Sequence, residues 1–155
     1  MATICQIGCG MIGKVMALDI SKRHDLHLSD LDRSALKEIK TLDSTIKTKC
    51  FDVNDSDILK SFLKPADIVL IAVPGHMGYK LLEKIIDFKK NIVDISFSPE
   101  NILSLNKKAK DNNITVIFDA GLAPGIPNFL LGEIDAKENV KSFKYFVGGL
   151  PKHPK

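Results

Sequence analysis

The 155-residue chain has no apolar run approaching the roughly 20 residues needed to cross a bilayer, so no membrane-spanning helix and no membrane partner is expected. It has no internal repeat and no low-complexity tract. Cysteine is scarce. Cys5, Cys9 and Cys50 are odd in number and have no paired metal spacing, so neither a disulfide framework nor a metal site is expected, and reduced thiols point to a cytoplasmic protein. Net charge is also small. A formal +3, dispersed along the chain, is no footprint for nucleic acid, and Lys137, Lys141, Lys144, Lys152 and Lys155 read as solvated surface. Glycines and Lys14 interrupt the apolar amino-terminal stretch, and no small-residue cleavage site follows a charged leader, so a secretory signal is not expected.

What is present is an average globular composition, 45% hydrophobic and 26% charged, at a length suited to one domain. Strand-length apolar runs fall at 3–7, 26–30, 46–50, 67–73, 91–96 and 114–119. Segments with apolar residues three and four apart lie between them, such as Met77, Leu81, Leu82, Ile85 and Ile86. This βαβ alternation predicts an α/β fold, a doubly wound parallel sheet in three αβα layers. The run from Ile68 to Val73, without polar alternation, reads as a central strand. Ser56 or Asp55 caps a helix that Pro65 stops, and Ser98-Pro99-Glu100 reads as the start of a helix over 100–112. A short helix is expected near Phe129 to Ile134. The run 141–150 alternates as an additional strand, closing a domain of 1–150 with a 151–155 tail.

The stretch CQIGCGMIGK places Gly8, Gly10 and Gly13 as G-x-G-x-x-G directly behind the first strand. In a dinucleotide-binding turn the first glycine makes the tight bend and the second lets backbone approach the pyrophosphate. The third packs the helix closely on the strand, and the phosphates meet the helix amino terminus. Asp30 ends the second strand, 22 positions beyond Gly8, where a carboxylate accepts the ribose hydroxyls of NAD. That position favours NAD. Arg33 close by leaves NADP open, because an arginine there clamps a 2′-phosphate. Asp52 and Val53 follow the third strand, as adenine neighbours or as a loop acid capping the next helix. AVPGHMG, 72–78, ends the fourth strand, with Gly75 and Gly78 as passage for the nicotinamide half or as plain turn glycines. His76 is the histidine at this edge and the candidate general base, against the reading of a surface loop residue.

FDAGLAPGIPNFLLGEI resembles the D-x-G-x-x-P-G stretch of the saccharopine dehydrogenase-like family, particularly its lysine 6-dehydrogenase and carboxynorspermidine dehydrogenase branch, and YFVGGLPKHP resembles that branch's strand leading out of the cofactor domain. The resemblance implies a nicotinamide-dependent oxidoreductase transferring hydride from an amine-bearing carbon of an amino acid of lysine or saccharopine type. It also implies residue roles. Gly8, Cys9, Gly10, Met11 and Ile12 would face the pyrophosphate, Asp30 and Leu31 the adenosine ribose, and Asp52 and Val53 the adenine. Val73, Pro74 and Gly75 would line the nicotinamide side, while Asp119, Gly121, Pro124 and Gly125 form the loop at the seam with the substrate domain.

Family members carry that second domain after the strand ending here at Gly149. The sequence ends soon after it, so the expectation is a cofactor domain that binds dinucleotide without turnover of an amine. A non-catalytic dinucleotide sensor, an inactive truncated fragment and an interaction domain with a vestigial glycine loop are the alternatives. Leu122, Ile126, Phe129, Phe146 and Leu150 are expected to stay partly exposed and to favour a homo-oligomer.

Overall fold

A computed structural model describes residues 1–148; expectations resting on 149–155, including the end of the last strand, Leu150 and the tail, lie outside the described residues. Among the described residues, six strands and six α-helices follow the alternation read from sequence. They are β1 (Thr3–Ile7), α1 (Met11–Ile20), β2 (Asp25–Asp30), α2 (Arg33–Leu42), β3 (Lys47–Cys50), α3 (Ser56–Leu63), β4 (Ile68–Ile71), α4 (Gly75–Asp87), β5 (Asn91–Asp94), α5 (Asn106–Asp111), β6 (Val116–Ile117) and α6 (Ile126–Asp135). Every strand pair is parallel, and the sheet order is β3-β2-β1-β4-β5-β6. The chain reverses its direction of travel across the sheet between β1 and β4. That reversal opens a crevice at the carboxyl ends of the two strands, where open α/β sheets take their ligands.

The pleat of β1 feeds both faces of the sheet. Cys5 and Ile7 join a core with Leu59 and Leu63 of α3 and Leu82, Ile85 and Ile86 of α4. Ile4 joins the opposite core with Ala17 of α1 and Leu36 and Ile39 of α2. Central strands flanked by helices on both faces are buried on both, which is why Val69, Leu70 and Ile71 of β4 are all interior.

Two boundaries differ from the sequence reading. The helix expected over 100–112 begins as a 3-10 turn, Ile102–Leu105, capped by Asn101, whose Oδ1 accepts the Leu103 N–H at 3.1 Å; α5 follows. Ser98 does not cap it, because its hydroxyl is turned to the Glu100 carboxylate at 2.5 Å. The additional strand is corrected as well. Residues 141–148 run as irregular, exposed chain, since an alternating sequence becomes a strand only where an edge accepts its hydrogen bonds, and the edge strand β6 is two residues long. Asp55 caps α3, its Oδ1 accepting the Ile58 N–H at 3.0 Å.

Candidate functional site

The glycine-rich loop fills the crevice between β1 and β4. Gly8 has φ of +105°, and a Cβ on it would sit 2.2 Å from the Ala72 carbonyl oxygen. Gly13 is equally confined, with a Cβ position 2.3 Å from the Gly8 carbonyl oxygen. Gly10 is different. A Cβ there meets no protein atom within 4 Å, so nothing inside the described chain requires glycine at the position that would face a ligand. Gly10 also stands at the N-cap of α1, where a residue with no side chain leaves the helix uncapped, and no acidic residue occupies the first turn. The N–H groups of Gly10, Met11 and Ile12 meet no acceptor among the described residues, so an uncapped helix terminus with its positive dipole end opens on the crevice.

Cys9, expected to face the phosphates, instead turns its amide to Asp30. The N–H donates to Asp30 Oδ2 at 2.6 Å, and the buried thiol lies 3.7 Å from the Ala35 carbonyl. Burial raises the pKa of that thiol, with the Asp30 charge adding to the effect. The other oxygen of Asp30 accepts the Asp32 N–H at 2.8 Å. Asp30 therefore latches the glycine loop to the end of β2 through Oδ2, while Oδ1 closes a local turn onto Asp32. Asp32 caps α2 through the Ser34 N–H at 2.7 Å, which leaves Arg33 exposed in the first turn of that helix.

A cleft of about 310 Å³ brings together eight of the expected residues. Gly8 and Gly10 form its floor, Asp30, Leu31, Asp52 and Val53 one side, and Val73 and Pro74 the other. Leu31 is 70% exposed on its rim. Asp52 does not cap α3, for its carboxylate closes a local turn by accepting the Asn54 N–H at 2.8 Å. Gly75 and Gly78 are not turn residues either; both lie in α4, with Gly78 packed against Ser96.

Other expected residues stand apart from this cleft. His76, in the first turn of α4, lines a neighbouring hollow with Lys80 and Lys84. Asp119, Pro124 and Gly125 line a separate hollow beside β6 and α6, with Asp119 at φ of +51°. Gly121 is joined to it by the Ile126 N–H bond to the Gly121 carbonyl at 3.0 Å.

Four buried polar residues went unremarked in the sequence, Ser29, whose carbonyl accepts the Gly8 N–H at 2.8 Å, and Gln6, Asp94 and Ser96. Each interrupts an otherwise apolar strand or strand end, and that interruption was the available signal. Asp94 accepts the Ser96 N–H at 2.8 Å, and burial raises its pKa, with the negative charge of Asp119 a lesser cause.

With this geometry in hand, likeness to known proteins becomes informative. A family model described as saccharopine dehydrogenase NADP binding domain matches residues 4–117. The alpha-aminoadipic semialdehyde synthase of Arabidopsis thaliana is 31% identical over 140 residues, which is 86% of this chain and 13% of that protein. A saccharopine dehydrogenase [NADP(+), L-glutamate-forming] of Pyricularia oryzae is 31% identical over 105 residues, 64% of this chain and 23% of the relative. Among solved structures, apo saccharopine dehydrogenase (L-Glu forming) from Saccharomyces cerevisiae matches with a TM-score of 0.76. It is 19% identical, over 88% of this chain and 31% of that one, a likeness of fold. The chain thus spans less than a quarter of the length of these two curated relatives.

The preference for NAD expected from Asp30 is overturned. The matching family model is of an NADP-binding domain, and the Pyricularia relative is named for NADP(+). The structure supplies a physical reason. An acid at the end of β2 favours NAD by accepting ribose hydroxyls, and each oxygen of Asp30 already accepts one backbone amide that competes with the ribose for it.

Proposed function

The chain belongs to the saccharopine dehydrogenase NADP binding domain family, and we propose that it holds NADP(H) in the cleft between β1 and β4 as the cofactor-binding part of an oxidoreductase acting at the amine-bearing carbon of an amino acid of lysine or saccharopine type. The single observation carrying this reading is the contrast at the glycine loop. Gly8 and Gly13 are glycines because backbone crowds them, whereas the space in front of Gly10 is open and faces three amides without acceptors. A pyrophosphate fits that space, since it needs close backbone approach, N–H donors and the positive end of a helix.

The remaining residues fit the rest of a dinucleotide. Leu31 and Val53 offer apolar rim for the adenosine, and Asp52 stands beside them. Arg33, exposed just past β2, is placed to meet the 2′-phosphate through a charge-assisted contact. Val73 and Pro74 give an apolar wall for the nicotinamide half. The bound cofactor would supply a hydride acceptor or donor. His76 is our candidate for accepting the proton from the substrate nitrogen, and the loop Asp119 to Gly125 for contacting the substrate side. The apolar residues exposed around that loop favour self-association, and the free thiols of Cys5, Cys9 and Cys50 suit a cytoplasmic setting.

The test is Gly10→Val, followed by NADPH fluorescence titration and thermal melting. The branched side chain enters open space, so the melting temperature should stay near that of the wild type while binding is lost. A folded Gly10→Val protein with unchanged NADPH affinity would remove the cleft from consideration.

A further inference from the structure

Behind the glycine loop lies a side chain that the dinucleotide motif does not require. Gln6 sits in β1 between Leu28 of β2 and Leu70 of β4 in register, and it is fully buried. Its Nε2 donates to the Gly8 carbonyl at 2.9 Å and to the Gly13 carbonyl at 2.6 Å. Its Oε1 has no partner among the described residues. A leucine or isoleucine, as at neighbouring buried positions, would fill the site without leaving a polar atom unpaired in an apolar surround, and burial of an unpaired carbonyl is destabilising. Exchanging the amide oxygen and nitrogen would set an oxygen against two carbonyl oxygens, so the two carbonyls dictate the orientation.

We propose that Gln6 is a positioning residue for the phosphate cradle: its amide fork ties the two ends of the loop together and holds the N–H groups of Gly10, Met11 and Ile12 toward the cleft. The two acceptors bracket that stretch, one at the bend after β1 and the other in the first turn of α1. The fork also occupies the space behind the loop, where a Cβ on Gly13 would lie 3.2 Å from Nε2. The loop is thus fixed from the front by Asp30 through the Cys9 amide and from behind by Gln6. A cradle ordered before the ligand arrives binds more tightly, because less loop freedom is lost on binding. The cofactor half of this inference rests on the proposed NADP(H) site, whereas the loop-holding half does not.

Gln6→Met keeps the length, removes both donors and removes the unpaired oxygen. In the whole chain it should melt close to the wild type, exchange the amide hydrogens of residues 9–14 faster, and bind NADPH about tenfold or more weakly. Gln6→Glu restores length and polarity, yet the neutral acid offers one O–H and the carboxylate none where two carbonyls need donors, so it should not rescue affinity in full. Ile85→Val, buried in the opposite core, is the control. It should lower the melting temperature and leave affinity and loop exchange unchanged. Wild-type exchange over residues 9–14 in Gln6→Met would overturn the inference, as would wild-type NADPH affinity in that variant. If the unaltered chain binds no dinucleotide, the proposed function falls, and the exchange comparison still decides whether Gln6 holds the loop.

Discussion

Helices α4 and α6 differ in sequence far less than in circumstance. Both carry apolar residues three and four apart, at Leu81, Leu82, Ile85 and Ile86 in one and at Ile126, Phe129, Leu130 and Ile134 in the other. α4 buries five residues against β4 and β5, and α6 buries none. Beyond β6 the same holds for Phe143, Tyr145, Phe146 and Val147, all exposed. An apolar stripe states that a helix is able to bury a face. Whether it does so depends on a partner surface, and the sheet supplies one as far as β6 only.

Substitutions that sharpen this contrast begin with the largest effect. Gly8→Val sets a β-carbon against the Ala72 carbonyl in a left-handed backbone conformation, and chemical denaturation should show a loss of about 4 kcal/mol or more. Leu82→Ala in α4 should cost about 2 to 5 kcal/mol, for it opens a cavity in a closed core. Leu130→Ala in α6 should stay within about 0.5 kcal/mol. Equal losses from the two leucines would erase the distinction between the helices.

Arg33→Ala tests the cofactor side of the sheet. Loss of a charge-assisted contact of about 1.5 to 3 kcal/mol should weaken NADPH roughly ten- to a hundredfold and leave NADH little changed, as read by titration with each. Melting should be unaffected, because Arg33 makes no hydrogen bond or ion pair among the described contacts.

Asp94 gives a pH signature. Its carboxyl holds its proton in the folded chain at a pH where the unfolded chain has released it, so the unfolded state binds fewer protons and stability falls as pH rises through that interval. Asp94→Asn should flatten the melting-temperature profile above the ordinary carboxylate pKa. A profile unchanged by the substitution would mean that burial does not hold the proton there.

The smallest expected change is Phe146→Ser. At 97% exposure it should leave stability within about 0.5 kcal/mol of the wild type, while sedimentation shows weaker self-association.

Much of the fold was legible because its signals are local. Glycine spacing, the apolar run at β4 and the order of alternating elements are properties of short stretches, and eight of the residues nominated by these signals together with the family resemblance share one cleft. The duties of Asp30 and Cys9 were not legible. Whether a carboxylate at the end of β2 meets a ribose or a backbone amide depends on where a loop 21 residues away lies in space. The alternation of 141–148 misled for a related reason, since its side chains suit a strand and its backbone finds no edge. Gln6 was visible as a polar residue inside an apolar strand, yet its two acceptors are carbonyls, about which sequence says nothing.

In the proposed function the cleft between β1 and β4 holds NADP(H), and Asp30 serves the loop. A side-by-side titration of the chain with NADPH and NADH tests it most directly. Saturable binding of both is expected under the proposed function, with NADPH clearly the tighter; tighter binding of NADH, or saturation by neither, would contradict it.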